Sequence, residues 1–133
     1  MPEKLKYLGP EWEREVEKRL KAGLTPEKMN NLTSSMTNLY RNCPDGKEMF
    51  FHVAFTDGTV SRVKTGEGTG PEAEFLITGD YQVFAQISRA EMGSQKALMT
   101  GKLKLKGNMV KALKLASLVD RLNKIISEVP TEF

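Results

Sequence analysis

At 133 residues the chain can build one real core but not two, and its 39% of hydrophobic residues, joined by 11 glycines, is close to the usual globular share. A single cysteine, Cys43, excludes an internal disulfide and suits a reducing compartment. The first ten residues hold no apolar run of signal-peptide length, and no segment approaches the roughly 18 apolar residues of a membrane span. The expectation is a soluble cytoplasmic domain over 1–133, with a helical segment, 1–32, leading into sheet and covering helices, 33–133.

Glu11 to Ala22 reads as an amphipathic helix with a narrow apolar stripe of Trp12, Val16 and Leu20. Glu15–Arg19 and Glu17–Lys21 stand four apart in the favourable orientation. Thr25-Pro26 predicts the cap and first position of a short second helix reaching Met29 or Leu32. Ser34 to Asn42 is polar for a strand, but Cys43-Pro44-Asp45-Gly46 predicts a reversal after it. Glu48 to Phe55 is the clearest strand, with Met49, Phe51, Val53 and Phe55 on one face. Asp57-Gly58 is a hairpin signal, and Thr59 to Thr65 returns. A glycine-rich loop, Gly66 to Pro71, leads to Glu72–Thr78, whose Ala73, Phe75 and Ile77 share a face. These four strands read as a meander. Gly79-Asp80 caps a helix carrying Tyr81, Val83, Phe84 and Ile87, and Gly93-Ser94 opens a short helix ending at Thr100.

Gly101 to Leu118 organises what precedes it. Lys102, Lys104 and Lys106 alternate with Leu103 and Leu105, the signature of a strand with one wet and one buried face. Gly107 breaks the strand and Asn108 is a good N-cap. From Met109 the period becomes helical and continues to about Ile126, with Lys111, Lys114, Arg121 and Lys124 among its polar positions. An ordinary surface helix buries about a third of its girth. This one is apolar over well more than half, so it needs cover on two sides. A sheet supplies one; a second helix, a partner chain or an apolar ligand must supply the other. The order of elements predicts an α+β domain, with helices over one face of a mixed, mainly antiparallel five-stranded sheet.

The run Gly-Lys-Leu-Lys-Leu-Lys-Gly-Asn from Gly101, with the helix after it, resembles the signature of the sterol carrier protein type 2 family of nonspecific lipid-transfer domains. Ser94 to Thr100 is similar to that family's short helix before the same strand, and a looser likeness reaches back to about Ser34. The resemblance implies an apolar tunnel between sheet and helices, holding a fatty acid, fatty acyl-CoA, sterol or phospholipid. Phe51, Val53, Phe55, Phe75, Ile77, Leu103 and Leu105 would form its sheet wall. Phe84, Ile87, Met92, Leu98, Met99, Met109 and Leu113 would form the helical wall, where methionine suits irregular apolar shapes.

The net charge of +3 is unevenly placed. Lys96 to Lys124 holds eight basic residues against Asp120 alone, a segment of +7 that leaves −4 for the rest. Those lysines either solvate a helix and guard a strand edge, or face an anionic bilayer through Lys111, Lys114, Arg121 and Lys124. No aromatic residue interrupts the basic segment, so nucleic-acid bases have no stacking platform there.

No catalytic constellation assembles. His52 is the lone histidine, which rules out a metal site of several imidazoles, and Cys43 sits too far along its hairpin to be its nucleophile. The loop Gly66 to Gly70 contains Glu67 and precedes a strand, unlike a phosphate cradle. The expectation is therefore a lipid carrier without cofactor or catalysis. Two rivals remain: a module whose apolar helix faces mediate homodimerisation, and a small acyl-thioester hydrolase, whose fold would want its long apolar helix wrapped by the sheet rather than last in the chain.

Overall fold

The computed structural model describes residues 4–132. In chain order its elements are β1 (Leu5–Lys6), α1 (Pro10–Gly23), β2 (Ser34–Arg41), β3 (Met49–Thr56), β4 (Thr59–Glu67) and β5 (Phe75–Asp80). There follow α2 (Tyr81–Ser88), α3 (Ser94–Met99), β6 (Leu103–Lys106), α4 (Met109–Lys114), α5 (Ala116–Ser127) and β7 (Thr131–Glu132). The main sheet has the order β4-β3-β2-β5-β6, and β1 and β7 pair in parallel to tie the two ends of the chain together.

Only β4-β3-β2 form an antiparallel meander. The expected fourth meander strand, β5, instead lies parallel to β2 on its far side, and β6 completes the sheet antiparallel to β5. The connection explains the departure. Residues 68–74 pass over the outer face of the sheet, where the Pro71 carbonyl accepts a hydrogen bond from Thr37 Oγ1 (2.9 Å). The free edge of β4 is meanwhile occupied by α1, whose Glu13 Oε1 accepts from the Thr65 amide (2.6 Å) and hydroxyl (3.0 Å). A covered edge offers no ladder to a returning strand.

Register converts the period-2 pattern into faces. Val63, Val53, Met36 and Phe75 form one row across the sheet, and Thr65, Phe51, Asn38, Ile77 and Leu105 the next. These rows face the helices. Lys104 and Lys106 point to the opposite, outer face and are exposed, as their alternation with Leu103 and Leu105 requires.

The stripe of α1 is fully buried: Trp12, Val16 and Leu20 are at most 1% exposed. Trp12 meets the Phe51 ring edge-on at 5.6 Å and donates from Nε1 to Thr131 Oγ1 (3.1 Å), so α1 is fixed to β3 and β7 together. The helix-surface pairs Glu15–Arg19 (2.7 Å) and Glu17–Lys21 (3.7 Å) form as the spacing predicts.

Two expected helices change. Thr25–Leu32 makes a pair of hydrogen-bonded turns, because Asn30 and Asn31 take φ of 51° and 53° and end any helix after one turn. The long final helix breaks at Leu115, which leaves α4 and α5 as separate pieces. A straight helix could not present so wide an apolar girth to one side. The break lets α5 bury Leu118, Leu122 and Ile126, while α4 buries none of its residues. Asn108 caps α4 as expected, its side chain accepting from the Lys111 amide (3.1 Å).

Gly58 holds the β3–β4 hairpin against the Thr25–Leu32 turns, donating to the Leu32 carbonyl (2.7 Å) with φ of +79°. An added Cβ would lie 2.6 Å from Pro26 Cα and 3.0 Å from Asn31 Cα, both backbone atoms. Gly58→Ala is therefore expected to destabilise by roughly 2 kcal/mol or more, from left-handed strain plus the clash, as read by urea unfolding.

Candidate functional site

α5 packs mainly on α1, α2 and α3 rather than directly on the strands. Gly23 allows the approach to α1: a Cβ there would fall 2.8 Å from Ile125 Cδ1. The helix is thus held off the β2-β5-β6 part of the sheet, and a cleft opens beneath it. Its floor is Met36, Phe55, Phe75, Ile77, Leu103 and Leu105. Its roof is Leu98, Ala112, Leu113, Leu115, Leu118, Val119 and Leu122, and Met29 and Leu32 from the turns also line it. Among the described residues only Ser34, Ser35, Ser94 and Gln95 contribute polar groups, and no charged residue lines it. The cleft is narrow and partly open to solvent.

A second, smaller cavity, also partly open, adjoins the first; Met36, Ile77, Ser94, Leu103 and Val119 line both. It reaches toward an aromatic cluster beneath α1 and α2. Tyr40 stacks on Phe84 at 4.2 Å and on Tyr7 at 5.9 Å. Tyr7 Oη donates to Tyr40 Oη (3.2 Å) and lies 2.9 Å from Ser88 Oγ. Burial pushes the Tyr7 phenol up to about 12. It holds Tyr40 well above its usual range too, with the neighbouring Tyr7 adding to the rise and a hydrogen bond with Asn38 opposing it. Both phenols are neutral at any physiological pH.

The residues singled out in the sequence fall into four groups. Phe55, Phe75, Ile77, Leu98, Leu103, Leu105 and Leu113 line the cleft. Phe51, Phe84 and Ile87 line the second cavity. Val53 is wholly buried but lines neither, and Met92 lines a shallow recess with Ile87. Met99 and Met109 stand outside both cavities, 74% and 44% exposed. Met99 is the last residue of a one-and-a-half-turn helix, and Met109 begins α4, which the break at Leu115 separates from the buried face of α5. Met36, Asn38 and Tyr40 were not foreseen, because β2 is too polar to announce a cavity wall; only their alternation could have found them. Leu118, Leu122 and Ile126 were legible in the helical period.

The four basic helix positions are split between α4 and α5. Lys111 pairs with Glu74, whose carboxylate also accepts from Ser34 Oγ at the cleft rim. The Lys111 bond, then Ser34, holds the Glu74 carboxyl below its ordinary value. Arg121 donates to the Lys28 carbonyl (2.6 Å), and Lys114 and Lys124 are exposed.

The sequence profile of the SCP-2 sterol transfer family matches residues 17–120, and the chain belongs to that family. Among proteins with curated functions, none matches the chain by sequence. The fold is similar to a crystal structure of sterol carrier protein 2, with a TM-score of 0.80 and 21% identity over 93% of this chain and 99% of that one. It is similar to the solution structure of a conserved hypothetical protein of Thermus thermophilus, with a TM-score of 0.78 and 21% identity over 98% and 94%. A further match is palmitated sterol carrier protein 2 like 2 of Aedes aegypti, with a TM-score of 0.59 and 19% identity over 83% and 93%.

His52 lies on the other face of the sheet from the cleft. It is only 3% exposed, because the loop after β4 folds over it. Thr37 Oγ1 gives its hydrogen to Pro71, so its oxygen accepts from His52 Nδ1 (2.9 Å), which fixes the neutral Nδ1–H tautomer. Burial, with the charge of Arg62, depresses the imidazole below its ordinary 6.5. The unfolded chain therefore takes up this proton first as pH falls. Stability attached to neutral His52 is present above pH 6.5 and is lost as pH falls from there through the folded value. Unfolding free energy is expected to decline across that acid window in the native protein and to decline less in His52→Gln.

Proposed function

We propose that the chain binds single apolar lipids between the sheet and α5 and carries them between membranes, as one unit spanning 1–133. The observation that carries this reading is the uncharged lining of the cleft in a member of a sterol-transfer family. The ligands it suits are a fatty acid, fatty acyl-CoA, sterol or phospholipid, and the palmitated relative supports the first. Removing a 16-carbon chain from water supplies roughly 12 kcal/mol at ~0.8 kcal/mol per methylene. Association and ordering take back half or more, which leaves binding of about micromolar strength or tighter. A wall of leucine, phenylalanine and methionine measures chain length poorly, so selectivity along the tail would be broad.

The role is carriage rather than catalysis. The sole histidine is across the sheet from the cleft and committed to Thr37, and Cys43 is buried with its thiol pushed up by that burial. The decisive test is extraction of freshly purified protein followed by mass spectrometry. Lipid at near-stoichiometric level is expected; protein that carries none, and binds none of the four classes when offered, would contradict the reading.

Delivery would use the surface beside the cleft. Met109 and Val110, 44% and 64% exposed, stand on α4 with Lys111 and Lys114, and Arg121 and Lys124 follow on α5. Near an anionic bilayer a basic residue contributes roughly 1 kcal/mol, decaying over about 8 Å at physiological salt. Transfer between vesicles is expected to accelerate severalfold with anionic acceptors and to slow at high salt, while affinity in solution barely changes. A rate indifferent to both would assign release to diffusion through water.

A further inference from the structure

The sheet floor contains one polar side chain whose chemistry is unfinished. Asn38 sits on the central strand β2, paired across the ladder with Phe51 and Ile77, on the face toward the helices. Its side chain lines the second cavity and hydrogen-bonds Tyr40, yet its Oδ1 is buried and has no hydrogen-bond partner among the described residues. A buried carbonyl oxygen left unpaired is costly, and such groups are nearly always satisfied. An isosteric leucine would avoid that cost at this apolar position. The surroundings narrow what could satisfy the oxygen. The described residues lining this cavity include Ser88, Ser94 and Asn123 but no charged side chain. The nearby Tyr7 and Tyr40 hydroxyls are engaged with each other and with Ser88.

Resting on the carrier reading above, we propose that Asn38 anchors the head of the ligand, and that this head is a neutral hydrogen-bond donor, the hydroxyl of an alcohol-type lipid. The two cavities share Met36, Ile77, Ser94, Leu103 and Val119, so a molecule lying across both would reach Asn38 from the cleft. The hydroxyl enters first and reaches Asn38 Oδ1. The hydrocarbon occupies the cleft under α5 and ends toward α4. An ionised carboxylate or phosphate in the deep position would be stripped of water with no counter-charge to meet it, and would present an acceptor to an acceptor. The lipid thus travels head inward, and its tail is the part that first meets a membrane at α4.

The test is displacement of a pyrene-labelled alkane by 1-hexadecanol, 1-methoxyhexadecane and hexadecanoate at pH 8. Native protein is expected to bind the alcohol at least about fivefold more tightly than the ether, the worth of one net hydrogen bond, and more tightly than the carboxylate. Asn38→Leu is expected to bind alcohol and ether alike while retaining the labelled alkane. Equal affinity for alcohol and ether in native protein, or an alcohol preference that persists in Asn38→Leu, overturns the head site but leaves the carrier reading standing. Failure of native protein to bind the labelled alkane or any of the three overturns both. If Asn38→Leu does not fold, the alcohol-to-ether ratio of native protein decides alone.

Discussion

The structure depends on one mismatch of cover: a five-stranded apolar sheet face, and helices that seal only part of it. α1 closes the β3-β4 side, with Trp12 against Phe51 and Glu13 on the edge of β4. α5 packs on α1, with Ile125 over Gly23, rather than directly on β5 and β6. Leucines and phenylalanines on both sides are therefore left facing a gap. Hydrophobic burial drives such faces together wherever the backbone allows it. Here helix-to-helix packing holds them apart, and in the carrier reading a bound lipid fills the gap.

Much of this was legible because strand and helix periods are local properties. The alternation Lys102 to Lys106 assigned both faces of β6, and the stripe Trp12, Val16, Leu20 assigned the buried side of α1. The excess apolar girth after Met109 correctly demanded cover on two sides, because α5 lies between α1 and the cleft. Non-local choices could not be read this way. Whether β5 returns beside β4 or crosses to β2 depends on Glu13 reaching Thr65, a contact 52 residues apart. The burial of His52 depends on a loop that arrives from the other end of β4.

The site residues divide along the same line. Ile77, Leu103 and Leu105 line the cleft, where their alternation within clear strands puts them. Met99 and Met109 were assigned to the wall on chemistry alone, and helix breaks at Gly101 and Leu115 turn them outward. The polar strand β2 hid the most instructive positions. Asn38 and Tyr40 occupy core-facing places in a strand whose composition suggests solvent, and they bring polar groups to the wall of the second cavity.

The central claim is that hydrocarbon lies between the sheet and α5. It is tested most directly by intermolecular NOEs between a bound 16-carbon lipid and protein labelled with carbon-13 at isoleucine and leucine methyls. Contacts from the lipid chain to Ile77, Leu105, Leu118 and Leu122 together are the predicted result, since the two sheet residues lie across the cleft from the two on α5. Contacts confined to exposed Leu113 and its neighbours on α4, with the interior methyls silent, would contradict the account.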